Sequence, residues 1–101
     1  MNMDDLIDKL LESLWLQDRL SHNPLQSYRR DLVKVAARLA EGRQAWLSAD
    51  EFSLSAAVYS AAEKSPSHAR ALSACKRMYG WLEETGQRAA NPPRSLTAPQ
   101  S

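Results

Sequence analysis

The sequence predicts an all-α protein, a compact four-helix bundle forming one small domain. Apolar residues recur with a period of about 3.6 along most of the chain, which is typical of helices with one buried face. Residue types that favour strands rarely alternate with polar ones. Helix start and stop signals divide the 101 residues into four segments with short connections, as in helical bundles.

The first helix is expected to run from about Asp4 to Leu20, with an acidic and amphipathic start. A signal peptide would begin with basic residues instead. The inner face should carry one apolar stripe, with Trp15 as a candidate sixth member: Leu6, Ile7, Leu10, Leu11, Leu14.

The second helix is expected to begin with Asn23 as N-cap, Pro24 in the first turn and Gln26 closing a capping box. It should end near Glu41, because Gly42 is a natural left-handed terminator.

The third helix is predicted to open with a capping box of Ser48 and Glu51 and to continue to about Lys64. The fourth should begin at Ser65, with a proline in its first turn, and run to Gly86. The predicted core of the bundle combines the inner faces of the helices: Leu10, Leu14, Leu25, Tyr28, Leu32, Val35, Leu39, Leu54, Val58, Leu72, Tyr79 and Leu82.

Residues 1–88 are therefore interpreted as the helical domain, and residues 89–101, which are rich in proline, as an extended linker or tail. The single cysteine, Cys75, excludes an internal disulfide, is expected in the core and favours a cytoplasmic setting. No apolar run reaches the roughly 20 residues of a membrane span, so no membrane partner is expected.

Charge is distributed unevenly, although the net charge is only +1. Residues 1–20 and 45–64 are acidic on balance, whereas residues 21–44 and 65–88 are basic. This alternation indicates that the second and fourth helices face a different partner from the other two.

Each basic helix carries a stripe of cations and small hydroxyl residues opposite its apolar face. We call these the two basic stripes. On the second helix the stripe comprises Ser27, Arg30, Lys34 and Arg38, and on the fourth it comprises Arg70, Ser73 and Arg77, with Lys76 at its edge. Such side chains can contact phosphates and base edges, and a helix start also exposes backbone N–H groups to an anion. Solvated surface helices and plain caps explain the same residues, so both interpretations stay open at this point.

Two long motifs carry a resemblance to a known family. The stretch "LWLQDRLSHNPLQSYRRDLVKVAARLAEG" resembles the first half of the core-binding domain of Xer-type tyrosine recombinases and phage integrases, and "SHARALSACKRMYGWLEETGQRAANP" resembles its second half. The similarity runs from about Leu6 to Pro92. It implies a SAM-like four-helix bundle that forms half of a clamp around duplex DNA, with the second and fourth helices at the major groove.

The resemblance implies DNA contacts from Ser21, Asn23, Ser27, Arg30 and Lys34 in the first motif, and from Ser67, Arg70, Ser73, Lys76 and Arg77 in the second. It also implies two further partners, the catalytic domain of a longer recombinase and other protomers bound to DNA. The chain departs from the family pattern at Pro24, where threonine is usual, and at Gly80 within the fourth helix.

This chain is not expected to be an enzyme by itself, because the family's tyrosine nucleophile lies in a separate catalytic domain. Its own tyrosines, Tyr28, Tyr59 and Tyr79, fall in predicted bundle helices. No cofactor is expected, since His22, His68 and Cys75 lack metal-ligand spacing. His68 is interpreted as a surface residue.

An alternative function belongs to another class of protein. A helical protein–protein interaction module with no role on DNA could bind a partner helix through exposed aromatic side chains. The candidates are Phe52, Tyr59 and Trp81, and the basic stripes would then be solvated surface only.

Overall fold

The computed structural model describes residues 2–17, 19–60 and 64–87. They form four helices: α1 (Met3–Leu16), α2 (His22–Glu41), α3 (Glu51–Val58) and α4 (Ser65–Glu84). No strand occurs in these ranges, and the predicted all-α class is confirmed. The predicted linker at 89–101 lies outside the described residues. Within the described part of the chain, no helix has the length and apolar character that a membrane crossing requires.

Helices α2 and α4 each pack against all three other helices, and α2 is the centre of the bundle because its contacts with α1 and α3 are more extensive than those of α4. Ten of the twelve predicted core residues are buried, and only Leu25 and Tyr28 are half-buried at the edge of the core. The stripe predicted on α1 is buried as well, but its candidate sixth member, Trp15, is 57 % exposed. Cys75 is buried, as expected.

The start of α2 differs from the prediction. Ser21 occupies the N-cap position, its carbonyl accepts a hydrogen bond from the Leu25 N–H at 3.3 Å, and its side chain makes no capping bond. Asn23 therefore lies inside the first turn, and the predicted capping box with Gln26 is wrong. Pro24 does not fix the register, because any position in the first turn tolerates a missing N–H.

Two predicted helix ends are also wrong. Helix α1 stops at Leu16, four residues early, and the chain then passes through Arg19 with a φ of 54°. The Leu20 N–H donates to the Leu14 carbonyl at 3.3 Å, which satisfies one of the terminal acceptors of α1. Helix α3 stops at Val58 and not near Lys64. Helix α4 ends at Glu84, and Gly86 follows with a φ of 74°.

The cap of α3 is Asp50, and the predicted capping box of Ser48 and Glu51 is wrong. The Asp50 carboxylate accepts a hydrogen bond from the Ser53 N–H at 2.7 Å. The Ser48 hydroxyl instead accepts from the Ala45 N–H at 2.9 Å, within the preceding turn. Asp50 thus satisfies an N–H that the short helix would otherwise leave without a partner.

This cap predicts a pH-dependent contribution of Asp50 to stability. Hydrogen bonds from Ser53 hold the pKa of the Asp50 carboxyl below its ordinary value. The bond from the Ser53 backbone has the larger effect on this pKa and the bond from its side chain the smaller. A carboxylate whose pKa is lowered by folding stabilises the fold above its unfolded pKa, and that contribution is lost as pH falls through the folded pKa. We expect Asp50→Ala to lower the melting temperature near neutral pH and Asp50→Asn, which keeps an acceptor, to lower it less. Thermal unfolding measured in acid should give the wild-type chain and Asp50→Asn the same melting temperature. A difference in melting temperature that persists in acid would contradict this account.

The connection between α2 and α3 contributes the largest fully buried side chain, Trp46. Its ring meets the ring of Tyr79 on α4 edge to face, with centroids 6.0 Å apart. The connection is therefore part of the core and holds the end of α2 against α4.

Candidate nucleic-acid interface

Helices α2 and α4 lie side by side, and this brings parts of the two basic stripes together. A cleft of about 370 Å³ opens between them, which we call the α2/α4 cleft. Three predicted site residues line it, Ser27 from α2 and Arg70 and Ser73 from α4, together with Pro24 and Tyr28. The cleft therefore presents a guanidinium and two hydroxyls on one surface, the groups that commonly contact DNA phosphates.

A small cavity of about 10 Å³ adjoins the α2/α4 cleft and has roughly the volume that one water molecule occupies. Lys34 of α2 and the half-buried Ser67 of α4 both line it. Arg70 also reaches Ser67, with Nη2 placed 3.4 Å from the hydroxyl oxygen. Five of the ten predicted site residues thus gather where the first half of α4 packs on α2.

Arg38, the last member of the α2 stripe, has a structural role. Its Nη1 donates a hydrogen bond to the Ala57 carbonyl at 3.1 Å and so joins α2 to α3. Arg29, which the stripes do not include, forms an ion pair with Asp8 of α1 at 2.7 Å. Both cations thus contact neighbouring helices, and the basic surface is narrower than the charge count of 21–44 suggests.

The other predicted site residues do not join this cluster. Lys76 and Arg77 line a separate groove between α4 and α1, which we call the α1/α4 groove. The N-cap residue Ser21 is exposed, as are Asn23 and Arg30 on α2, and all three line neither of these two depressions. A helical wheel assigns a residue to a face but does not say which neighbouring helix that face meets.

Asp31 also lines the candidate site, although it was not among the predicted site residues. It is 7 % exposed, and it is the only buried charged side chain in the described part of the chain. It lines both the α2/α4 cleft and the adjoining cavity. Burial, together with the negative charge of Asp31, raises the pKa of the Cys75 thiol, so this thiol stays protonated. The available sequence signal was the position of Asp31 on the wheel, close to the inner face that Tyr28 and Val35 define.

The three aromatic residues of the alternative function differ in how far their side chains are exposed. Phe52 is 84 % exposed, whereas Tyr59 and Trp81 are partly buried and pack against the core. The Tyr59 ring meets the His68 ring edge to face at 5.7 Å. His68 is half-buried, not a surface residue as predicted, and its Nε2 lies 2.8 Å from the Ser60 carbonyl oxygen.

Fold and site together define a small all-α domain that presents cations and hydroxyls from two adjacent helices. The family model of the phage integrase N-terminal SAM-like domain matches residues 7–86, and the chain therefore belongs to this family. The resemblance drawn from the two motifs, and the SAM-like bundle that it implies, are confirmed.

The proteins to which the chain is clearly similar include several Xer recombinases. The chain is 54 % identical over 97 residues to the tyrosine recombinase XerD of Neisseria meningitidis serogroup B, a match that covers 96 % of this chain and 33 % of that protein. It is 37 % identical over 100 residues to XerC of Pseudomonas aeruginosa strain LESB58, covering 94 % and 33 %. It is 32 % identical over 100 residues to XerD of Proteus mirabilis, covering 96 % and 32 %. The chain thus spans about a third of the length of the curated relatives it matches. No solved structure gives a significant match.

Proposed function

We propose that this chain is the DNA-binding, core-binding domain of a site-specific tyrosine recombinase or integrase. It positions the enzyme on a recombination half-site through α2 and α4, and it works in the cytoplasm. The α2/α4 cleft is the observation that carries the proposal, because two helices supply Ser27, Arg70 and Ser73 to one exposed surface. Family membership and the similarity to Xer recombinases support the same function.

Cleavage and joining of DNA would belong to a catalytic domain outside these residues. The proposed partners of the chain are therefore duplex DNA, that catalytic domain, and other protomers bound to DNA. A tyrosine nucleophile must reach a phosphodiester from an exposed position. Tyr79 is fully buried and Tyr28 is half-buried against the core, so neither has that position. Residues 89–101 would serve as the linker to the catalytic domain.

An NMR titration of the 101-residue chain with a short duplex tests this function. We expect chemical-shift changes concentrated at 21–38 and 65–77, and we expect them to shrink as salt is raised from low to moderate concentration, because phosphate contacts release counterions. The internal control consists of amides on the side of α1 that faces away from the α1/α4 groove, and of amides around Phe52 of α3. Their chemical shifts should change little. No change at low salt would contradict direct DNA binding by this domain.

The second candidate function, an interaction module, is favoured by one observation, the exposure of Phe52. Large aromatic side chains on a surface are common anchors of protein interfaces. This function predicts that α2 and α4 do not respond to the duplex. It also predicts that α3 responds in a separate titration with a protein partner.

A further inference from the structure

Gly80 lies in the interior of α4, where glycine lowers helix stability relative to alanine. A Cβ built at Gly80 would meet no heavy atom within 4 Å, and its φ is not positive. Neither packing against the described residues nor backbone conformation requires glycine at this position. Glycine is also the residue that lets a ligand approach a backbone closely.

Gly80 forms part of the α1/α4 groove, which has a volume of about 390 Å³. Lys76 and Arg77 stand beside it on α4, and Ser13 and Gln17 face it from α1. Glu84 bounds the groove toward the end of α4. The groove thus combines two cations, one carboxylate and two neutral polar side chains with a single position on α4, Gly80, that carries no side chain. Leu10, Leu14 and Trp81 complete its lining.

This groove continues the basic stripe of α4. Ser73, Arg77 and Gly80 are spaced by four and three residues and so share one face of the helix, which Arg70 also shares. That face leads from the α2/α4 cleft to the α1/α4 groove. From Arg70 to Gly80 it extends about 15 Å along the axis, enough to meet more than one phosphate of a strand.

We propose that the α1/α4 groove seats a second segment of the duplex phosphate backbone, with Gly80 allowing a strand to approach the surface of α4. Lys76 and Arg77 supply the charge, and Ser13 and Gln17 hydrogen-bond to the strand. The occupant is DNA because two cations outweigh the one carboxylate of the groove, and because Arg77 shares a face of α4 with the α2/α4 cleft residues Arg70 and Ser73. This inference rests on the proposed function and adds α1 and Gly80 to the contact surface.

The test is the substitution Gly80→Ala, with Gly80→Leu as a larger change, in the 101-residue chain. Because a Cβ there meets open space and alanine favours helix, we expect Gly80→Ala to raise the denaturant midpoint. It should nevertheless weaken duplex binding by about three- to tenfold, and Gly80→Leu should weaken it further, because each side chain holds the strand away from the groove. Stability and affinity would then change in opposite directions, which a purely structural glycine cannot produce.

Val33→Ala is the matched control. Val33 is 45 % exposed on α2 and lines neither the cleft nor the groove, and alanine there also improves helix propensity. The gain in helix propensity and the loss of partly buried methyl groups should nearly offset each other in stability, and the affinity for duplex should stay at the wild-type value.

Wild-type affinity of Gly80→Ala and Gly80→Leu would overturn the groove proposal and leave the proposed function standing. A changed self-association of the free chain with unchanged DNA affinity would also overturn it, because the groove would then belong to a second copy. Absence of duplex binding by the wild-type chain itself would refute both the groove and the proposed function.

Discussion

A variant with four cations replaced by glutamine should bind duplex DNA with sharply reduced affinity. The replaced residues are Arg30, Lys34, Arg70 and Arg77. Each cation that contacts a phosphate releases a counterion, so removing four contacts should flatten the slope of log K against log salt by about 3 to 4. The loss of affinity should be largest at low salt and shrink as salt rises. Fluorescence anisotropy with a labelled duplex at several salt concentrations measures both quantities.

A control variant separates local contacts from net charge. Lys9, Arg19 and Arg43 are exposed cations outside the two basic stripes. Neutralising these three should change the salt slope much less for each charge removed, because long-range effects are screened within about 10 Å at moderate salt. An equal change per charge in both variants would mean that α2 and α4 hold no particular relation to the DNA.

Periodicity predicted the bundle correctly because each helix must bury one apolar face, and apolar residues therefore recur at helical spacing in the sequence. Capping was harder to predict because neighbouring residues compete for one position. Ser21 and Asn23 are both good N-cap types, as are Ser48 and Asp50. The structure uses Ser21 and Asp50, and the choice depends on how the preceding connection packs.

The candidate site was predictable as two helix faces but not as one surface. Wheel geometry places Arg70 and Arg77 on the same side of α4. Only the packing of the bundle shows that Arg70 lines the α2/α4 cleft whereas Arg77 lines the α1/α4 groove. The wheel places Asp31 near the inner face of α2, but its burial depends on how α4 packs against that face.

Trp46 had no sequence signal at all, because it lies in a connection that has no period. Its side chain is nevertheless fully buried and packs edge to face on Tyr79. Trp46→Ala should therefore remove about 3–5 kcal/mol from the free energy of unfolding, through lost burial and the cavity left behind. A domain of this size has only about 5–15 kcal/mol in total, so much of its stability should be lost. Urea unfolding followed by circular dichroism measures the change without relying on tryptophan fluorescence.

Trp15→Ala is the matched control for this prediction, since it makes the same chemical change on the surface of α1. Trp15 is 57 % exposed, so its removal deletes much less buried area than the removal of Trp46 and leaves no internal cavity. We expect an effect of about 0.5 kcal/mol or less at this site. Equal costs at the two positions would mean that the α2–α3 connection does not belong to the core, and that Trp46 and Tyr79 do not hold α2 against α4. In that case other contacts would hold the α2/α4 cleft in place, and DNA binding should tolerate Trp46→Ala as well.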